Sequence, residues 1–249
     1  MKKMLLICGA LLAFSAAAAF AQVTAPGLYL NWGGNCIGDT PLQLKTYACT
    51  SIAGSDVLLS SWVPAVAVPT FAGLEEFIYL AVDGGVLPAY WGTTCAGRTA
   101  VAVNQTAPSS AVNCADVWAG MGGGGLSGYN LNANGPGTVV IDVIGAVPAG
   151  SEQALDAGIE YFTFNLILSH AKARTTDACL GCLIPACINF KELRYDEPAP
   201  IVEKVTTAPG LIGTANRAYV NWQGPVVNCT PGASPSKNAT WGSVKALYR

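Results

Sequence analysis

Eight cysteines carry the most specific chemistry in this chain. Cys36, Cys49, Cys95, Cys114, Cys179, Cys182, Cys187 and Cys229 follow an apolar N-terminal segment that holds a ninth, Cys8. An even number of thiols beyond an export-type leader reads as disulfides formed in an oxidising compartment. Cys36–Cys49 and Cys95–Cys114 are the natural local pairs, each closing a short loop for about 3 kcal/mol of chain-entropy stabilisation. The other four allow three pairings, which spacing does not choose between. The favoured one is a tight Cys182–Cys187 loop around Pro185, with Cys179–Cys229 tying down the C-terminus. The competing chemistry is a four-thiolate zinc site at Cys179, Cys182, Cys187 and Cys229, which an oxidising compartment disfavours. Covalent haem needs a histidine after the second cysteine of Cys-x-x-Cys, where Leu183 stands, and no thioredoxin-like βαβ context surrounds the motif.

Catalytic groups are sparse. His170 is the single histidine. It can in principle act as a general base, but no Gly-x-Ser-x-Gly elbow accompanies it, and it reads as a strand-end residue in the turn His170-Ala171-Lys172-Ala173-Arg174. Acidic pairs occur at Glu75-Glu76, Asp196-Glu197 and Glu152 with Asp156. A glycosidase needs two carboxylates facing across a cleft, whereas adjacent strand residues such as Glu75 and Glu76 point to opposite faces. The glycine run 122–125 lacks the Lys-Ser/Thr of a phosphate loop and reads as a mobile surface loop. No calcium-loop motif is present. No catalytic residue, metal or cofactor is therefore expected.

Six tryptophans invite a binding reading, since exposed aromatic faces stack on sugars. Trp62, Trp91 and Trp118 are candidates, with Tyr90 beside Trp91, and the ligand-binding set is expected at Trp62, Trp91 and Tyr90. The alternative is that these rings pack the core.

These groups sit in a chain of 249 residues. Lys2 and Lys3 precede an apolar run through Phe20, and Ala19-Phe20-Ala21 matches the small-x-small cleavage rule, so residues 1–21 are expected to be a signal peptide that is removed together with Cys8. The basic start and the absence of eukaryotic features lean bacterial. No second apolar run is long enough for a membrane span of about 20 residues. The mature chain is expected in the periplasm, at the cell surface or outside the cell. Without Lys2 and Lys3, eleven basic residues face fifteen acidic ones, a net charge of −4. No basic cluster exists, so nucleic acid is an unsuitable partner. An extracellular or cell-surface polysaccharide or protein is the class of partner left open.

Residues 22–249 fit one all-β domain, since sandwiches run to about 200–250 residues. Short apolar runs alternate with turn-rich intervals, the pattern of antiparallel strands. Strands are expected at 28–32, 42–49, 56–62, 76–82, 99–103, 138–146, 160–169, 186–195 and 218–222. The period of two is clearest where Phe162, Phe164, Leu166 and Leu168 share a face. Ile188 and Phe190 are out of phase with Leu193 and Tyr195, and a bulge near Lys191-Glu192 restores all four to the core. Residues 76–82 are apolar on both faces and suit a central strand. Short helical turns are expected from Asn113, from Ser151 to Gly158, and over 240–248 as a helix or edge strand. Thr24-Ala25-Pro26-Gly27 before Tyr29-Leu30-Asn31-Trp32 is echoed by Thr207-Ala208-Pro209-Gly210 before Tyr219-Val220-Asn221-Trp222, which reads as convergent turn chemistry rather than a second domain.

Tyr47-Ala48-Cys49-Thr50-Ser51 followed by Ser61-Trp62-Val63-Pro64, the cysteine cluster 179–187 and the closing Thr240-Trp241-Gly242-Ser243-Val244-Lys245-Ala246-Leu247-Tyr248 resemble a group of uncharacterised secreted bacterial proteins. At fold level the chain is similar to cohesin-like or carbohydrate-binding sandwiches. The resemblance implies a disulfide-linked antiparallel β-sandwich, of jelly-roll or immunoglobulin/cohesin-like type with minor short helices, and assigns no functional residues. The expected function is an exported, non-catalytic structural, adhesive or binding module. A carbohydrate-binding module and a secreted hydrolase using a carboxylate pair or His170 are the alternatives.

Overall fold

A computed structural model describes residues 26–37, 42–95, 101–109, 111, 113–174, 179–197, 202–207 and 218–225. The expected signal peptide, the 240–248 element, Cys229 and Trp241 lie outside these residues. Among the described residues the secondary structure is almost entirely β. Fourteen strands run in chain order as β1 (Gly27–Trp32), β2 (Leu44–Lys45), β3 (Ser55–Val63), β4 (Val68–Phe71), β5 (Gly73–Val82), β6 (Val101–Asn104), β7 (Ala115–Asp116), β8 (Gly123–Leu131), β9 (Thr138–Ala146), β10 (Gln153–Leu155), β11 (Tyr161–Ser169), β12 (Ala186–Glu197), β13 (Val202–Thr207) and β14 (Tyr219–Trp222). Single 3₁₀ turns at Asp83–Gly85 and Ala89–Trp91 are the helical content.

Two sheets pack face to face as a sandwich. The smaller has the order β1-β3-β11-β6, with β7 also on β11. The larger has the order β2-β14-β12-β5-β9-β8, with β13 also on β12, and β10 pairs with β4 in a separate ribbon. The ladders are antiparallel except for β7 on β11 and β2 on β14, which are parallel. The inner faces meet through Leu58, Ile78, Leu80, Ile141, Val143, Phe162, Phe164, Leu166, Ile188, Phe190 and Leu193, all buried. Burying each such side chain is worth about 1.5–3 kcal/mol.

The strongest sequence patterns became the central strands. β9 matches its expected span, and β5 lies between β12 and β9, with Ile78 and Leu80 facing in. The register of β12 on β5 shifts between Phe190 and Glu192, and Ile188, Phe190, Leu193 and Tyr195 are all buried. The bulge reconciles two phases of the apolar pattern as expected. Trp32 and Trp222, the ends of the repeated tetrapeptide, pack on each other at 6.0 Å across the two sheets. The Trp32 indole N–H donates to the Asn221 carbonyl at 3.0 Å.

Three local expectations are corrected. The glycine run is not a surface loop, because Gly123–Gly125 open β8 and pair with β9 from Ala146 to Ile144. Gly124 has φ +149°, and a Cβ there would strike the Ile144 carbonyl, so the glycines permit a close backbone approach that a side chain would block. The helical turn expected from Asn113 is instead β7 and a tight turn. The Asp116 carboxylate accepts from two amides of the turn, Trp118 at 3.0 Å and Gly120 at 2.8 Å, local side-chain bonds that compete with helix. The turn expected from Ser151 is the β10 strand, which pairs with β4.

The cysteine pairing is also corrected. The bonds are Cys36–Cys114, Cys49–Cys182 and Cys95–Cys179, with Cα separations of 6.0, 6.1 and 5.4 Å. None of the local pairs Cys36–Cys49, Cys95–Cys114 and Cys182–Cys187 forms, and Cys179 is not bonded to Cys229. Folding brings sequence-distant loops within disulfide range, and geometry at the sulfurs outweighs proximity in sequence. Cys179 and Cys182 belong to different bridges, which removes the thiolates that a zinc site would need. Among the described residues no helix is long and apolar enough to cross a membrane.

Candidate functional site

His170 sits at one end of the sandwich, where four distant segments converge. It follows β11, and its backbone amide donates to the Gly54 carbonyl at 3.0 Å. One ring nitrogen, Nε2, lies 2.9 Å from Asp56 Oδ2 at the start of β3. The other, Nδ1, lies 3.0 Å from the Ala53 carbonyl. Asp56 is buried, and Lys45 from β2 holds its second oxygen at 2.7 Å. Tyr47 stacks on the imidazole with ring centroids 3.8 Å apart and planes 17° from parallel. Its hydroxyl donates to the Ser51 carbonyl. Gln223, just beyond β14, accepts from the Tyr47 amide at 3.0 Å and donates back to its carbonyl at 2.7 Å.

A histidine–aspartate pair invites a catalytic reading, and the geometry opposes it. Both imidazole nitrogens face acceptors, so neither presents a lone pair to a substrate proton. Among the described residues no serine, threonine or cysteine side chain is bonded to the ring, so they supply no nucleophile–base link of a triad. The cluster joins β2, β3, β11 and the end of β14. His170→Ala leaves one buried Asp56 oxygen without its donor. We expect a loss of about 2 kcal/mol, in line with hydrogen bonds to charged groups, read as a fall in Tm of roughly 4–8 °C. An unchanged Tm would remove the structural role.

The expected acidic pairs separate. Glu75 and Glu76 point to opposite faces of β5, as adjacent strand residues must. Glu152 folds back on its own turn, accepting the Gly150 amide at 3.0 and 2.9 Å, which lowers its pKa. The Asp156 amide is bonded to Tyr161 Oη. On the outer face of the larger sheet Glu75 meets Arg194 at 3.3 Å, and Arg194 meets Glu192 at 2.6 Å. The Arg194 guanidinium covers the Phe77 ring at 4.5 Å. Burial, then the neighbouring Asp142 charge, push the Glu75 carboxyl up, while Arg194 pulls it down. Sequence pairing missed Asp142 because it reaches this face only through the β9–β5 register, where it stands opposite Phe77.

On the inner face Glu76 is fully buried, opposite Leu193 and Val143 in the ladder. Burial pushes its carboxyl up to about 8, against the lowering effect of the facing Thr163 and Ser60 hydroxyls. Those hydroxyls are bonded to each other at 2.8 Å. Neither Glu76 oxygen makes a hydrogen bond of ordinary geometry.

The candidate sugar-binding rings are interior. Trp62 packs against Tyr195 at 5.0 Å. Tyr90 stacks on Trp222 at 6.1 Å, and Trp91 meets the same ring edge-on at 6.0 Å. Trp118 lies between Phe71 and Phe164. All four are buried, so none offers an open face for stacking, and their area serves the core. No family model, curated protein or solved structure matches this chain.

Proposed function

We propose that the protein is an exported, non-catalytic structural or adhesive module, a single disulfide-braced sandwich whose contacts with other extracellular molecules run through its loops or a sheet face. One observation carries this reading: among the described residues His170, Asp56, six bridged cysteines and the large aromatic rings are committed to holding the fold. Both nitrogens of His170 and both oxygens of Asp56 are engaged. The cysteines of three bridges join distant loops, and the large aromatic rings fill the core. The disulfides fit an oxidising compartment, in agreement with an export leader ending near Ala21.

Two readouts test the proposal. Chromogenic glycoside, ester and peptide substrates are expected to show no turnover. Turnover lost on His170→Ala or Glu75→Gln would overturn the non-catalytic reading. Five buried tryptophans, Trp32, Trp62, Trp91, Trp118 and Trp222, are expected to give emission that polysaccharides leave unchanged, with no retention on insoluble cellulose, chitin or xylan. Retention accompanied by an emission shift would favour a carbohydrate-binding module.

A further inference from the structure

Cys187 is disulfide-bonded, yet the other six described cysteines are paired among themselves. Its partner therefore lies outside the described residues, where only Cys8 and Cys229 remain. The position of Cys187 separates the two. Its neighbours Ala186 and Ile188 point into the sandwich, so by strand alternation Cys187 points out from the larger sheet, away from the smaller one. It packs there beside Tyr219. β1, through which any N-terminal extension must enter, is a strand of the smaller sheet.

The chain leaving β14 is already at the right place. Asn221 stands opposite Cys187 in the β12–β14 ladder. The chain then turns at Gln223, with φ +64°, and at Gly224, with φ +153°. A Cβ on Gly224 would lie 3.6 Å from the Pro185 ring. Cys229 follows Pro225 by four residues, a reach of up to about 14 Å, more than enough to return to Cys187 within the 4.4–6.8 Å Cα range of a disulfide.

The outward face at this point is covered. Cys187 is 1% exposed and Asn189, two residues along the same face, is 6% exposed. The Asn189 amide donates to Cys187 Sγ at 3.0 Å, while its carbonyl oxygen Oδ1 is buried without a partner. A buried amide oxygen of this kind is costly unless an N–H meets it.

From these observations we propose that the outer face of the larger sheet around Cys187 is the docking surface for this chain's own C-terminal segment, residues 226–249, pinned by a Cys187–Cys229 disulfide, with a backbone N–H of that segment meeting Asn189 Oδ1. The bond forms by two-electron oxidation of the two thiols, with an extracytoplasmic thiol oxidant or disulfide carrier accepting the electrons and the two protons released. The segment 179–187 then becomes a covalent hub, joined through Cys179 to Cys95, through Cys182 to Cys49 and through Cys187 to the C-terminus. This inference rests on export to an oxidising compartment, and its test does not depend on the non-catalytic reading.

The test is peptide mapping of the exported wild-type protein, digested without reduction by pepsin and then thermolysin to cut between Cys182 and Cys187. A fragment joining Cys187 to Cys229 is the expected result. Cys187 joined to Cys8, joined to Cys229 of a second chain in a covalent dimer, or carrying a free thiol would overturn the proposal. As a second readout, Cys187→Ser and Cys229→Ser are each expected to expose one alkylatable thiol per chain, against none in the wild type. Two variants with no new thiol would also refute it.

Discussion

Reduction under native conditions is expected to unfold this protein, and the Cys49–Cys182 bridge is expected to account for the largest single share. The three bonds between described cysteines span sequence separations of 78, 133 and 84 residues. The chain-entropy relation converts loops of that length to about 4.5–5 kcal/mol each, against about 3 kcal/mol for the short loops that spacing alone suggests. The loops overlap, so the contributions do not add. A typical domain is stable by about 5–15 kcal/mol, and loss of all three would consume most of that margin. The Cys49→Ala/Cys182→Ala double variant leaves no odd thiol and is expected to lower Tm by roughly 10–20 °C. A shift of a few degrees would show that the bond adds little to a sandwich that stands by itself.

The second large effect is expected at Glu76. Burial pushes its carboxyl up to about 8 in the folded protein, from an ordinary value of 4.5. Between those values the native state binds a proton that the unfolded chain has released, so stability falls as pH rises. The stabilisation is whole below about pH 4.5, declines through neutrality and is lost above about pH 8. At about 1.4 kcal/mol per unit, the span amounts to about 5 kcal/mol. Glu76→Gln keeps the shape, cannot ionise, and should cancel this slope. Urea titrations at pH 5 and pH 8.5 read the result. The variant should match the wild type at pH 5 and exceed it at pH 8.5. Parallel pH profiles would show that Glu76 is ionised, or solvated, in the native state.

Both predictions concern features that a linear reading half saw. The alternation of Phe162, Phe164, Leu166 and Leu168, and the phase slip between Phe190 and Leu193, locate β11 and the β12 bulge because a period of two is imposed on each strand separately. The opposite pointing of Glu75 and Glu76 follows from the same rule. What the rule does not say is which face becomes interior. Glu76 faces Ser60 and Thr163 on other strands, and only that packing turns an ordinary acid into a buried one. The glycines 123–125 illustrate the converse. Without side chains they carry no pattern, and their strand exists because β9 lies close enough to pair with them.

The amino-acid order by itself determined the class of the molecule: thiols in even number behind an apolar N-terminal segment, strands with apolar faces, few charges and no recognisable catalytic motif. Those properties are local, written in composition and in the two-residue repeat. The tertiary structure alone decided which cysteines meet, which aromatic rings are interior, and that His170 is held between Asp56 and the Ala53 carbonyl. These depend on how two sheets close on each other, and the groups that meet there lie tens of residues apart in the chain.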